Sequence, residues 1–183
     1  MICGLGYDVN IMNGRGDTPH SAREIMEHLN PSHVILGPGP GWPEDSPLTM
    51  EFAKMALAGE LPPTLGICLG HQALGIAAGW SLTPSPSGPV HGIPVECLHN
   101  GRGLFTNLSE INMTRYNSLT LLSADHHANS EFYIDATDAT KSLVLAIRSE
   151  THPVFGVQFH PESVGSQDGT LILDAFLNSQ AHG

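Results

Sequence analysis

Apolar positions in the first half of the chain fall into short runs that alternate with longer segments of helical spacing. Residues 7–12 (YDVNIM) predict a strand. Residues 21–29 repeat apolar positions at helical intervals behind a Ser start, with Pro31 just beyond the end, and predict a helix. Residues 33–36 (HVIL) form a short β-rich run that stops at Gly37-Pro38-Gly39-Pro40-Gly41. Residues 47–58 predict a second helix, opened by proline and followed by Gly59. Residues 64–67 are a short buried strand running into Cys68, and 69–78 a helix ending at Gly79. Strands alternating with helices imply crossover units and a parallel sheet, hence an α/β fold.

Past Trp80 the pattern changes. Residues 83–89 (TPSPSGP) predict a loop, short enough to be a connection inside one domain. Short β-like runs follow at 91–99, 111–116, 119–123, 131–135, 143–148 and 154–159, and residues 168–178 predict a closing helix. A chain of 183 residues, 40% hydrophobic, suffices for one sizeable core, so a single domain over 1–183 is expected.

Charge narrows the partners. Eighteen acidic residues against seven Lys and Arg give a formal net charge of -11, which argues against nucleic acid or anionic membrane as a ligand. No apolar run reaches the length of a spanning helix, and the N-terminus MICGLGYDVN lacks the look of a signal peptide. The three cysteines, Cys3, Cys68 and Cys97, give neither a disulfide framework nor a CxxC metal pair. A reducing, cytoplasmic setting and no metal site are the expectation.

Three stretches carry candidate chemistry. Gly66-Ile67-Cys68-Leu69-Gly70 joins a strand to a helix and has the form of a nucleophile elbow with cysteine for serine. Such a turn leaves no room for flanking side chains. It sets the thiol at a helix N-terminus, where the dipole favours thiolate and free N–H groups can hold an oxyanion. The alternative is a small buried cysteine beside ordinary turn glycines. Second, His160-Pro161-Glu162 places a histidine and a carboxylate two apart; on extended backbone, stiffened by Pro161, both face one side, and the carboxylate can orient the ring. Third, Gly37–Gly41 after the HVIL strand builds a tight loop of exposed backbone, a candidate second oxyanion donor. His71, which follows the elbow, is expected to pack or cap, and Cys3 and Cys97 to be inert. His126-His127 could suggest a metal site, but adjacent residues on a strand point to opposite faces, and a surface or loop role is expected.

LGICLGHQALG, GPGPG and GVQFHPES, in this order and spacing, resemble the class I glutamine amidotransferases of the triad type over residues 5–177. His91-Gly92 and Arg115-Tyr116-Asn117-Ser118-Leu119 look like the small subunit of anthranilate synthase and its relative in aminodeoxychorismate synthase. The resemblance implies a three-layer, flavodoxin-like α/β fold: a mostly parallel central sheet flanked by helices, plus a small antiparallel β element. It implies Cys68 as nucleophile, His160 as general acid/base and Glu162 as its orienter. Gly41 and Leu69 N–H groups would form the oxyanion hole. Gly39, Gln72, Ser118 and Leu119 would hold the glutamine substrate. His91 and Gly92 would lie near a protein partner, the large subunit of a chorismate-using synthase. No cofactor belongs to this chain on that reading, while the partner would use Mg2+.

The family's usual opening strand and helix, in the style ILLIDNYDSFTYNL, has no counterpart before LGYDVNIMN, so an unpaired sheet edge is expected. Asn117 stands where relatives often carry histidine, and Ile93 where they often carry a basic residue. Two rival functions use the same residues differently: a stand-alone γ-glutamyl hydrolase, and a shortened regulatory subunit without catalysis.

Overall fold

The computed structural model describes residues 3, 6–14, 20–86, 88–122 and 132–180. Helix α1 (Ala22–Leu29) starts at Ser21, whose hydroxyl accepts from the Glu24 N–H at 3.3 Å while the Glu24 carboxylate accepts from the Ser21 N–H at 2.8 Å. That reciprocal capping satisfies donors the helix cannot. Asn30 ends it in the left-handed region. Strand β1 (Val34–Leu36) precedes α2 (Pro47–Leu57), β2 (Thr64–Ile67) and α3 (Leu69–Ala77). Then come β3 (Leu82–Pro84), β4 (Ile93–His99), β5 (Ile111–Arg115), β6 (Leu119–Leu121), β7 (Phe132–Thr137), β8 (Val144–Ser149), β9 (Val154–Val157) and α4 (Gly169–Leu177).

The main sheet runs β1-β2-β9-β8-β7-β4-β5, and β3 pairs with β6 in a second, antiparallel sheet. The α/β architecture, the flanking helices and the small antiparallel element agree with the expectation, but the main sheet is mixed rather than mostly parallel. Its parallel pairings are β1 with β2 and β2 with β9; β9-β8, β8-β7, β7-β4 and β4-β5 are antiparallel. The reason is connection length. Parallel neighbours need a crossover, usually helical. Between β4 and β9 the described chain has only short loops and a 3-10 turn at Gly103–Phe105, so successive strands fold back on each other.

Two apolar clusters sandwich the sheet. On one face α1, α2 and α3 bring Ile25, Phe52, Ala53 and Leu74 against Val144, Ile147 and Val154. On the other α4 brings Ile172, Leu173 and Phe176 against Leu65, Ile67, Leu145 and Val157. Buried on both faces, β2 reads as a continuous apolar run rather than an alternating one.

Residues 7–12 do not form the expected strand. Ile11 is 90% exposed, with Val9 and Met12 also open to solvent. A strand needs a ladder partner, and no described strand lies beside this segment; β1 ends the sheet with β2 as its one neighbour. Part of the expected 83–89 loop, Thr83 and Pro84, belongs to β3 instead. His126 and His127 lie outside the described residues. Among the described residues no helix is long and apolar enough to cross a membrane.

His71 sits in α3 with no solvent exposure, packed where a side chain on Gly156 would touch its Nδ1 at 2.9 Å. Burial pulls its pKa from 6.5 down to about 3, against weaker upward pulls from the Gly156 and Val144 backbone. The folded chain therefore keeps His71 neutral where the unfolded chain takes up a proton. Its contribution is intact above pH 6.5 and falls as pH drops toward 3. Urea unfolding at pH 5 is expected to show about 2 kcal/mol less stability than at pH 7 from this group. His71→Met is expected to flatten that acid limb; an unchanged limb in the variant would contradict the assignment.

Candidate active site

The elbow is formed as the sequence predicts. Cys68 follows β2 and caps α3 with φ 52° and ψ -99°, a strained conformation for a residue with a side chain. Its N–H donates to the Val157 carbonyl at 2.8 Å, extending the β2-β9 ladder by one rung, and its carbonyl accepts from the Gln72 N–H at 3.1 Å to open the helix. The flanking glycines are needed for close approach. A Cβ on Gly66 would stand 2.5 Å from the Gly70 carbonyl carbon, and one on Gly70 would overlap the Leu36 carbonyl oxygen. The thiol is thus held at the carboxyl end of β2, almost wholly buried.

His160 and Glu162 meet as expected: Nδ1 donates to Glu162 Oε1 at 2.7 Å. The backbone that joins them is a turn rather than extended chain. The Ser163 N–H donates to the His160 carbonyl at 3.1 Å, and Pro161 occupies the position where such turns favour proline. The turn is pinned from outside: the His160 N–H donates to the Thr114 carbonyl at 2.9 Å, and Ser166 Oγ donates to the His160 carbonyl at 2.6 Å.

Nε2 of His160 is buried and makes no hydrogen bond among the described residues. The Cys68 sulfur stands short of a formed hydrogen bond but close enough to act on the ring. Burial, the largest influence, pulls the His160 pKa down; the Cys68 sulfur and the Glu162 carboxylate together outweigh it and carry it up to about 9. Burial likewise pushes Glu162 up, but the hydrogen bond and charge of His160 hold its carboxyl below the usual range. Both shifts favour the charged pair, an imidazolium beside a carboxylate. Catalytic hydrogen bonds are often long without substrate and tighten when it binds.

The glycine-proline loop lies over the same helix start. A Cβ on Gly39 would touch Leu69 Cδ2 at 3.0 Å, and Gly41 takes φ 79°, which a side chain would strain. Leu69 is the first residue of α3, so its N–H has no acceptor within the helix. Gln72, one turn on, donates through Nε2 to the Leu119 carbonyl at 3.1 Å and to Gln158 Oε1 at 3.0 Å. Asn117 Nδ2 also donates to the Leu119 carbonyl, at 2.8 Å, and the Ser118 carbonyl accepts from the Ser85 N–H at 2.8 Å. Gln72 and Leu119 therefore converge, with both amide hydrogens of Gln72 already engaged.

His91 is exposed, and the Gly92 N–H donates to the Arg115 carbonyl at 2.8 Å. A Cβ on Gly92 would meet the Tyr116 ring at 3.2 Å. Tyr116 in turn stacks edge-on to His160, ring centres 5.0 Å apart, and its hydroxyl lies 3.2 Å from Ser163 Oγ. The His91-Gly92 segment thus borders the mouth of the site through one aromatic ring. Cys97 lies in the core, where burial pushes its thiol up to about 12 against the pull of Arg115, in keeping with an inert role.

Two residues of the site sit inside the sequence motifs but gain no role from the sequence: Tyr116, on the His160 ring, and Gln158, wholly buried, whose Nε2 donates to Cys68 Sγ at 3.6 Å. Gln158 lies two residues before His160, but its partners Cys68 and Gln72 are 90 and 86 residues away in the chain, so no local pattern points to it.

The family profile described as Glutamine amidotransferase class-I matches residues 2–179. The anthranilate synthase component 2 of Azospirillum brasilense is 36% identical over 176 residues, which cover 96% of this chain and 85% of that one. The aminodeoxychorismate synthase component 2 of Serratia marcescens is 40% identical over 157 residues, 84% of this chain and 80% of that one. Other relatives are longer: this chain spans 26% of the bifunctional protein TrpGD of Thermotoga maritima, at 35% identity. Among solved structures, a Thermoplasma acidophilum protein assigned as part of a GMP synthase shares the fold, with a TM-score of 0.69, 19% identity, and 90% of this chain and 89% of that one covered.

Proposed function

The chain belongs to the class-I glutamine amidotransferase family, and from that premise we propose that it is a glutaminase subunit that releases ammonia for a synthase partner. The observation that carries this reading is Cys68 on its strained elbow, beside a His160 ring bound by Glu162 at 2.7 Å. Thiolate Cys68 attacks the side-chain amide carbon of glutamine. The N–H groups of Gly41 and Leu69 receive the oxyanion. As the C–N bond breaks, imidazolium His160 gives its proton to the leaving ammonia, and a γ-glutamyl thioester remains on Cys68. His160 then takes a proton from water, hydroxide displaces the thiolate, and glutamate leaves. Gly39, Ser118, Leu119 and the Oε1 of Gln72 are the groups proposed to hold the amino-acid end of the substrate. With both its amide hydrogens engaged, Gln72 can only accept, which suits an α-ammonium.

The partner is proposed to be the large subunit of a chorismate-using synthase, anthranilate synthase first and aminodeoxychorismate synthase next. The names of the relatives support that choice. So does the border of the site: beside the exposed His91 and Gly92, a 55%-exposed Ile93 and a 48%-exposed Tyr116 offer apolar surface, and Tyr116 packs on His160. No cofactor of the chain's own enters the chemistry, and a cytoplasmic setting is proposed with it.

Glutamate release from glutamine, measured with and without each candidate large subunit, tests this reading. Release that rises with one partner supports the role of a glutaminase component. Equal turnover of γ-glutamyl peptides with no partner effect would support a stand-alone hydrolase instead.

The His160 shift gives a pH prediction. Its proton is required for the leaving ammonia and is lost as pH rises through about 9, so kcat/KM is expected to fall there. Glu162→Gln removes one of the two upward influences. The alkaline limb is expected to move to lower pH, with kcat reduced about 10- to 100-fold, less than loss of the nucleophile costs. An unmoved limb would contradict the orienting role.

A further inference from the structure

We propose that Gln158 positions the Cys68 sulfur, and that a chain of side-chain amides fixes which of its atoms faces the nucleophile. This rests on the reading of Cys68 as nucleophile and adds a residue that the triad does not contain.

The orientation follows from one group that cannot change role. The Leu119 carbonyl can only accept, so the Gln72 atom 3.1 Å from it is the amide nitrogen. That nitrogen's second hydrogen goes to Gln158 at 3.0 Å, so the Gln158 atom receiving it is the oxygen. The remaining end of the Gln158 amide, its NH2 group, then faces Cys68 Sγ at 3.6 Å. Asn117 Nδ2 fills the other lone pair of the Leu119 carbonyl at 2.8 Å and holds the anchor in place. Gln158, Gln72 and Asn117 are all buried, so water does not compete for these bonds.

A donor aimed at the sulfur does two things. It limits where Sγ can sit on a backbone that is already strained, and it strengthens as the sulfur gains negative charge, because hydrogen bonds to ions exceed neutral ones. His160 supplies the proton chemistry; Gln158 holds the sulfur.

The test compares two replacements of similar size. Gln158→Met keeps the volume and loses both hydrogen bonds. Gln158→Glu keeps an acceptor for Gln72 but presents a lone pair to the sulfur. The readout is the rate of Cys68 alkylation by iodoacetamide at fixed pH, localised by peptide mass spectrometry, with the thermal midpoint recorded alongside. Gln158→Met is expected to slow alkylation about tenfold, as fits one lost hydrogen bond to an ion. Gln158→Glu is expected to be at least as slow. If Gln158 served only to support Gln72, the Glu variant would react faster than the Met variant, and that order would overturn the proposal. Gln72→Leu provides a second arm should the Gln158 variants not fold. It does not touch the sulfur, yet it frees Gln158 to rotate and is expected to slow alkylation; an unchanged rate would overturn the relay. Glutaminase activity separates the two levels. A folded wild type with no Cys68-dependent turnover removes the proposed function, whereas normal alkylation in the variants of an active enzyme removes the relay alone.

Discussion

Cys68→Ser is expected to lower glutamine hydrolysis more than about a thousandfold, because the triad acts as a unit and a serine hydroxyl in a site built for thiolate is a poor nucleophile. The same variant should leave synthesis from added ammonium by the partner intact, since ammonia then bypasses this chain. The physical basis is specific. Cys68 has an unusual backbone conformation, φ 52°, that holds its sulfur at the end of β2 within reach of His160 and Gln158. Serine matches cysteine closely in size, so the thermal midpoint should move little. Loss of ammonium-dependent synthesis together with glutamine hydrolysis would mean that Cys68 supports the structure or the partner contact rather than the chemistry.

Gly70→Ala is expected to be among the most damaging single methyls added to the fold. The new Cβ would overlap the Leu36 carbonyl oxygen and approach its carbon to 2.8 Å. These are backbone atoms of β1, which cannot swing aside as the tip of a flexible side chain can. Relief requires α3 to move off the sheet, and α3 carries both the Leu69 N–H and Gln72. Overpacking costs about 1–3 kcal/mol in ordinary cores, and a clash with backbone sits at or above the top of that range, so about 3 kcal/mol or more is expected. For a chain of this size that corresponds to a thermal midpoint about 10 °C lower. Gly37→Ala is the control: no atom lies within 4 Å of its Cβ position, and a shift below about 0.5 kcal/mol is expected. Equal effects from the two substitutions would contradict the close packing of the elbow.

The contrast between those two glycines shows what the sequence could and could not disclose. Local features were legible. The Ser21 start, the strand at 64–67 and the helix after Cys68 appear where capping, periodicity and glycine placement put them. The core of the site was legible too, because GxCxG and HPE are short patterns with local causes. Non-local features were not. The mixed sheet depends on which strands find each other after the helical crossovers end. Residues 7–12 have a strand's composition but no described neighbour to pair with. The turn at His160 reads as extended from proline alone, and becomes a turn because Thr114 and Ser166 hold it. Gln158 bonds to Cys68 across 90 residues and to Gln72 across 86, distances at which a one-dimensional pattern carries no signal.

The most direct test of the central claim is capture of the acyl group on Cys68. The chain, mixed with the large subunit that stimulates it, is given glutamine and hydroxylamine, and γ-glutamyl hydroxamate is measured beside glutamate. A thioester on Cys68 predicts hydroxamate that rises with hydroxylamine at the expense of glutamate, and that disappears in Cys68→Ser. Glutamate release with no hydroxamate at any hydroxylamine concentration, or hydroxamate undiminished in Cys68→Ser, would contradict it.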